Sequence, residues 1–342
     1  MTDLPGIALD AMGGDHAPGE IVRGGVEYAR LTGRKVLLVG RPGPIEEALA
    51  ELDVSGLDIE VVPARDVIGF GEKITSVRSK RDSSIHVGTR LVRDGKASAF
   101  VSAGHTGAVM AVSKVVYGLL PGVDRPALPA PLPRRTAGYT ILLDAGANVD
   151  CRIEHLRQFA VMGAHYARRI FGVDNPRAAL LSIGEEDSKG NDTLREVARI
   201  LRETSINFVG NVEGNHLFGD RADVVVCDGF VGNIALKVGE GIAESIVGMI
   251  RDEVTKTAFR RLGAFFLRKA FGELKRRTDY AEYGGVPLLG LKRVTIVAHG
   301  RSSARAIRNA LRAGDAAARE RIVERIGEDI AELHRAEERL VH

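Results

Sequence analysis

A chain of 342 residues, 44% hydrophobic and 27% charged, has enough apolar material for one large α/β unit or two lobes and shows no sign of disorder. A net charge of +3 without an aromatic-rich basic strand gives no support to nucleic-acid binding, and two cysteines, Cys151 and Cys227, are too few for a disulfide framework. No apolar run approaches the roughly 18 residues of a spanning helix, and Pro5-Gly6 leads straight into a strand without a signal-peptide pattern, so a reducing cytoplasm fits.

Residues 7–11 read as the first strand. A turn through Gly13 and Gly14 follows, then a helix with Pro18 suited to its first position and Val22, Val26 and Ala29 facing inward. The two glycines let backbone approach a ligand, and Asp10, Asp15 and His16 offer carboxylates and an imidazole at the strand end. The competing readings are a helix cap for Asp15 and a plain polar loop for His16. A metal site built from Asp10, Asp15 and His16 matches no metal-ligand spacing. Residues 35–39 and 58–62 are further strands, separated by a helix that begins after Pro42 or Pro44. The segment 76–85 is basic and rich in hydroxyls. In it Arg78, Lys80 and Arg81 suit an anion, and Ser83 and Ser84 suit capping or hydrogen bonding; a solvated charge run is the alternative.

Residues 97–101 form a strand that turns through Ser102, Gly104, His105 and Thr106 into a helix. This turn resembles a phosphate cradle without the glycine spacing of a Walker loop or a dinucleotide fingerprint, and His105 suits equally a helix start bonded to its own turn. Residues 121–135, rich in proline, read as a loop or lobe connection rather than an element, and as the best candidate hinge. A strand over 139–143 runs into the turn from Asp144 to Asp150, which repeats the acid-then-glycine arrangement of the first. The next helix buries Leu156, Phe159, Gly163, Tyr166 and Ile170, and a strand over 178–183 leads into an acidic loop containing Lys189. The continuous apolar run 224–226 is the pattern of a strand covered on both faces, with Cys227 a small core residue at its end. Asp228-Gly229 breaks it, and apolar residues at Ile234, Val238, Ile242 and Ile246 define a helix with Asn233 and Lys237 one turn apart on one face. So many polar, glycine-bearing strand ends are what an active-site rim in an open α/β sheet requires, with phosphate the expected anion at a helix start.

Residues 251–277 carry nine Lys or Arg against three Asp or Glu, interleaved with Phe259, Leu262, Phe265, Phe266, Leu267, Phe271 and Leu274 at helical spacing. Such a basic amphipathic segment lies in a membrane interface or packs on a subunit partner with its charges in water. A last strand over 294–298 delivers His299 to a helix through Ala304, Ile307 and Leu311, and the terminal helix buries Ile322, Ile326, Ile330 and Leu333.

With these motifs the chain resembles, nearly end to end, the phosphate acyltransferases of bacterial phospholipid synthesis, the PlsX family. The residues that carry the resemblance run from Ile7 to Asp15, Lys80 to Ser84, Ser102 to Ala108, Leu143 to Asp150, Ile183 to Asn191, Cys227 to Asn233, Leu288 to Gly290 and Ala298 to Gly300. His105 stands where the family usually has asparagine, and Lys292-Arg293 replaces a smaller turn. The resemblance implies a three-layer α/β/α Rossmann-like sandwich with a mostly parallel sheet, related to phosphotransacetylase and isopropylmalate dehydrogenase folds. It implies one catalytic unit over 1–342, bilobal about the 121–135 connection, that works as a homodimer without a cofactor. The implied reaction moves a long-chain acyl group from acyl carrier protein to inorganic phosphate. The acyl phosphate then passes to a membrane-embedded glycerol-3-phosphate acyltransferase, so the protein is expected in the cytoplasm, peripherally bound to the inner face of the cell membrane.

Within that reaction, phosphate falls to Ser102, Gly104, His105 and Thr106 with Lys189 and Lys237, and orientation or proton handling to Asp10, His16 and Asp228. Asn233 and His299 donate to the carbonyl oxygen. Arg78, Lys80 and Arg81, with Ser83 and Ser84 beside them, or Lys292-Arg293, meet substrate or the acidic carrier protein. A phosphotransacetylase-like enzyme using acyl-coenzyme A and a membrane-surface scaffold are the competing functions; a dehydrogenase lacks its dinucleotide fingerprint.

Overall fold

The computed structural model describes residues 4–278 and 280–341. The first part of the chain runs β1 (Ile7–Asp10), α1 (Gly19–Thr32), β2 (Val36–Gly40), α2 (Pro42–Ala50), β3 (Ile59–Pro63), α3 (Ser84–Arg93), β4 (Ala99–Ser102) and α4 (Thr106–Tyr117). Then come β5 (Pro129–Pro133), β6 (Tyr139–Leu143), α5 (Ile153–Phe171), β7 (Ala178–Leu181), α6 (Asp192–Arg202), β8 (Phe208–Val212) and β9 (Val224–Val226). The remainder is α7 (Gly229–Thr255), α8 (Ala258–Phe266), α9 (Arg268–Thr278), β10 (Gly285–Pro287), β11 (Thr295–Ala298), α10 (Ala304–Arg319) and α11 (Ile322–Val341).

The strands form two sheets, one ordered β10-β11-β4-β1-β2-β3 and the other β5-β6-β9-β7-β8, each parallel except for the antiparallel edge strands β10 and β5. Period-two alternation builds the layers. In β1, Ile7 and Leu9 face the cluster of α1 and α10 (Val22, Val26, Ile307, Leu311), whereas Ala8 faces that of α3 and α4 (Ile85, Val92, Val109, Val112). In the second sheet, Ile141, Leu143, Val224 and Val226 join the same continuous core as β1, through Phe159 and Met162 of α5. That core closes on Ile322, Ile326 and Ile330 of α11; the side chain of Leu333 lies outside the described residues. Because parallel strands share a direction, each sheet presents all its parallel strand ends on one edge.

Three strands escape the sequence pattern. The proline-rich stretch contains β5, whose Pro129, Pro131 and Pro133 alternate with Ala130 and Leu132. Leu128 O accepts from Ala145 N and Arg134 N donates to Gly138 O, so the even-numbered residues face β6 and the prolines put their missing N–H groups on the open edge. β8 and β10, at the other edges, contain glycine and proline and lack a clean alternation. Cys227, by contrast, is buried as its place after β9 suggests.

Beneath the second sheet, buried Asp223 accepts from Arg134 Nη2 at 2.8 Å and from Arg177 Nε and N at 3.0 and 2.8 Å. Burial pushes its carboxyl up, but the bonds from Arg177 and Arg134 outweigh that and hold it below the usual carboxylate range. The stabilisation is therefore complete above the carboxyl's unfolded value, roughly pH 4, and is lost as pH falls through the lower folded value. Asp223→Ala leaves Arg134 without its charge partner and should cost about 3–5 kcal/mol in urea unfolding at neutral pH. A loss below about 1 kcal/mol would show the cluster to be incidental.

Candidate active site

β1 and β4 lie side by side, and each ends in a polar residue: Asp10 and Ser102. Ser102 Oγ donates to Asp10 Oδ2 at 2.7 Å and Met12 N donates to Oδ1 at 3.2 Å. Burial pushes the Asp10 carboxyl up, against the opposing pull of Ser102, Ser84 and the Met12 and Gly13 N–H groups. Ser102 Oγ in turn accepts from Gly104 N at 3.0 Å. The two turns touch so closely that a Cβ on Gly13 would stand 2.5 Å from Asp10 Oδ2 and 2.8 Å from Gly104 N.

α4 starts from this contact. His105 is its N-cap, its carbonyl and ring Nδ1 both accepting from Ala108 N at 2.9 and 3.4 Å. Among the described residues no acceptor pairs with the N–H groups of Thr106 and Gly107, so the positive end of the helix stays open to an anion. Asp228, Ser303 and Asn191 cap α7, α10 and α6 in the same way, but at α7 and α10 the first N–H is also taken, Gly229 N by Asn148 O at 2.6 Å and Ala304 N by Glu20 Oε2 at 2.7 Å.

A third turn, after β11, joins the first where Asp15 N donates to Gly300 O at 2.8 Å. It carries His299 to Lys237 of α7, Nε2 to Nζ 3.4 Å, and Lys237 pairs with Glu240 at 2.8 Å. Turns at the strand ends of the two sheets thereby come into contact. Nδ1 of His299 accepts from the N–H of Arg301 at 3.2 Å, which places the proton of the neutral ring on Nε2, the nitrogen beside Lys237. Burial first, and the Lys237 charge second, hold the ring below the ordinary histidine value and keep it neutral at pH 7.

Of the residues singled out from sequence, Asp10, Ser84, Ser102, Gly104, His105, Thr106, His299 and Lys237 lie on this connected set of turns. Asn233 and Asp228 open α7 beside the Asp144–Asn148 turn, Asn233 lying against Gly146 and Asp228 Oδ1 accepting from Val231 N at 2.8 Å. His16 is exposed in the turn before α1, and Lys189 is exposed with its stem against Gly184. Arg78 is exposed as well. Lys80 is committed internally, its Nζ donating to Val67 O at 2.6 Å and Glu72 Oε1 at 2.5 Å, while Ser83 caps α3 and bonds the His86 ring at 2.9 Å.

The second acid-then-glycine turn is filled by the protein itself. Asp144 accepts from Leu128 N, Ala147 N, Asn148 N and Asn148 Nδ2 at 2.7–3.0 Å. α7 is seated directly on it, since a Cβ on Gly232 would fall 1.9 Å from Asp144 O. Burial holds both cysteines in the thiol form, driving the Cys227 thiol well up and the Cys151 thiol to about 12. Two participants escaped the sequence reading. Glu240 was detectable as the acid three residues after Lys237, whereas Phe70, stacked on the His105 ring at 6.3 Å, sits in a loop without periodicity.

Comparison with known proteins bears on what this site does. Residues 6–325 match the family described as "Fatty acid synthesis protein". The chain is 48% identical over 326 residues to the phosphate acyltransferase of Heliobacterium modesticaldum, covering 95% of this chain and 97% of that one. It is 49% identical over 311 residues to the phosphate acyltransferase of Acidobacterium capsulatum, with 90% and 92% covered. Among solved structures, a phosphotransacetylase from Streptococcus pyogenes superposes with a TM-score of 0.64 at 19% identity, over 92% of this chain and 95% of that one. The 4-hydroxythreonine-4-phosphate dehydrogenase of Klebsiella pneumoniae does so with 0.55 at 14% identity, over 92% and 98%. These structural likenesses establish the shared α/β fold.

Because Lys237 is the second cause of the low His299 value, Lys237→Ala should move that imidazole's pKa upward in an NMR titration, without restoring it fully while burial persists. An unmoved titration would mean that the 3.4 Å contact carries no electrostatic weight.

Proposed function

Since this chain belongs to the fatty acid synthesis protein family, and its phosphate acyltransferase relatives match it nearly end to end, we propose that it moves a long-chain acyl group from acyl carrier protein to inorganic phosphate. The chain is an acyltransferase of fatty acid and lipid synthesis. The observation that supports the finer reading is the open start of α4 on turns that are joined, through Asp15 N and Gly300 O, to the turn on which His299 meets Lys237.

In this reading a phosphate oxygen attacks the thioester carbonyl carbon, the C–S bond breaks, and the carrier's thiolate leaves with the electron pair. A thiolate is a good leaving group, so catalysis rests on placing a dianion against an electrophile and on stabilising the oxyanion. The Ser102–Thr106 turn, Lys237 and Lys189 hold phosphate. Neutral His299 and Asn233 donate to the carbonyl oxygen, a role for which His299 must keep its proton on the nitrogen that faces substrate. His16 and Asp228 orient the reactants, Asp228 also through its cap on α7. Arg78 and Arg81, exposed where Lys80 is not, attract the acidic carrier protein.

Homodimer formation is proposed for α7, whose Ile234, Val238, Ile242 and Ile246 are about half exposed in the single chain, with Gly229 and Gly232 its buried positions. Peripheral attachment to the inner face of the cell membrane is proposed for α8 and α9, where Phe259, Phe265 and Phe266 are exposed among arginines. No helix among the described residues is long and apolar enough to cross a membrane. Attachment at the surface would deliver acyl phosphate to a membrane-embedded glycerol-3-phosphate acyltransferase.

Palmitoyl-acyl carrier protein should release its thiol only when inorganic phosphate is present, with acyl phosphate found by mass spectrometry. Release without phosphate, or release from acyl-coenzyme A alone, would replace this reading. For the surface segment, the triple change Phe265→Ser, Phe266→Ser and Phe271→Ser should abolish flotation with anionic liposomes while leaving phosphate-dependent turnover in detergent intact; unchanged flotation refutes the assignment to α8 and α9.

A further inference from the structure

The hydrogen bonds around Asp10 reach beyond the two turns it joins. Residues 66–84 make a closed loop, pinned at its ends where Asp66 N donates to Asp82 O at 3.1 Å and Ser84 N to Asp66 O at 3.2 Å. Inside it, Lys80 and Gly69 N both bond Glu72 Oε1, at 2.5 and 3.0 Å, which ties the loop's far side to its return. The loop leans on the anion turn: Phe70 stacks on His105 with rings 15° from parallel and overlies Gly300, and Ile74 reaches Gly107. Its last residue, Ser84, is 1% exposed, and its hydroxyl is one of the groups that pull down the pKa of the Asp10 carboxyl, itself 1% exposed.

We propose that Asp10 is a positioning residue, the common acceptor through which Ser84 and Ser102 hold the 66–84 loop, the Gly13 turn and the Gly104 turn as one rigid phosphate-binding unit. Its burial bars it from the substrate; it acts through the hydroxyls it receives. With Oδ2 taken by Ser102 and Oδ1 by Met12 N, each segment's position is fixed relative to the others, so the N–H groups of Thr106 and Gly107 stay aimed at one point. Two independent features agree. The Gly13 and Gly104 backbones are in direct contact, so any shift of one turn moves the other. Ser102 is itself bifunctional, donating to Asp10 while accepting from Gly104 N, so it relays the carboxyl's position into the anion turn. Burial also disfavours the charged carboxylate, in keeping with a group that organises donors rather than balancing the phosphate charge.

This inference rests on the phosphate acyltransferase reading, and the test separates the two. Asp10→Asn replaces one carboxyl oxygen by an NH2 group that cannot accept from a hydroxyl. The KM for inorganic phosphate should rise about tenfold or more, with kcat at saturating phosphate and the KM for palmitoyl-acyl carrier protein within about twofold of wild type. Ser102→Ala should raise the phosphate KM in the same direction, and Asp10→Asn with Ser102→Ala should be no worse than Asp10→Asn alone, as members of one brace require. Ser84→Ala should show a smaller rise of the same kind. If Asp10→Asn does not fold, by near-UV circular dichroism, Ser102→Ala and Ser84→Ala carry the test on their own.

An unchanged phosphate KM in the folded variants overturns the inference. So does a fall in kcat with the phosphate KM unchanged, whether it comes from a lost catalytic group or from a smaller active fraction. A wild-type protein without phosphate-dependent turnover overturns the functional reading and this inference with it.

Discussion

The hydrogen bond from Ser102 to Asp10 joins the ends of two strands that lie 92 residues apart in the chain. It exists because β1 and β4 are parallel neighbours, so both stop at the same edge and both must turn away there. Polar side chains at that edge are out of reach of bulk water. Each must find its partners among the neighbouring turns, and doing so locks the turns together. The opening at α4 lies beside this bond: Ser102 holds Gly104 N, and two residues on the helix begins with the N–H groups of Thr106 and Gly107 lacking an intrahelical acceptor.

The second sheet meets the same demand in a different way. Asp144 also ends a strand, but donors of its own turn and of the Leu128 segment saturate it, and Gly229 and Gly232 let α7 close over it. One strand end thus leaves an open helix start beside it while its counterpart becomes the seat of a helix. From that seat Lys237 reaches His299 on the turn after β11, so the filled turn of one sheet is tied to a turn of the other.

Helix α7 has two characters along its length. Its first turn is glycine-rich and packed, whereas its apolar stripe beyond Asn233 stays half exposed in the single chain. Such a stripe on a helix ordinarily faces a core. Here the body of the protein ends before the helix does, and α8 continues outward with Phe259 more than four-fifths exposed.

The sequence by itself determined the alternation of strand and helix, the burial of β9 and Cys227, and the residue types at each strand end, because side-chain periodicity and glycine-bearing turns are local properties of the chain. Near-identical turns at Asp10 and Asp144 were visible there but not distinguishable, since their different fates depend on which elements pack against them. Only the tertiary structure decided that Lys80 is spent on Glu72 and Val67 rather than left for an anion, and that Phe70 covers His105. It also decided that prolines in β5 mark a sheet edge rather than a loop. Each of these is a contact between residues brought together by packing, and no spacing along the chain encodes which donor will stand 3 Å from which acceptor.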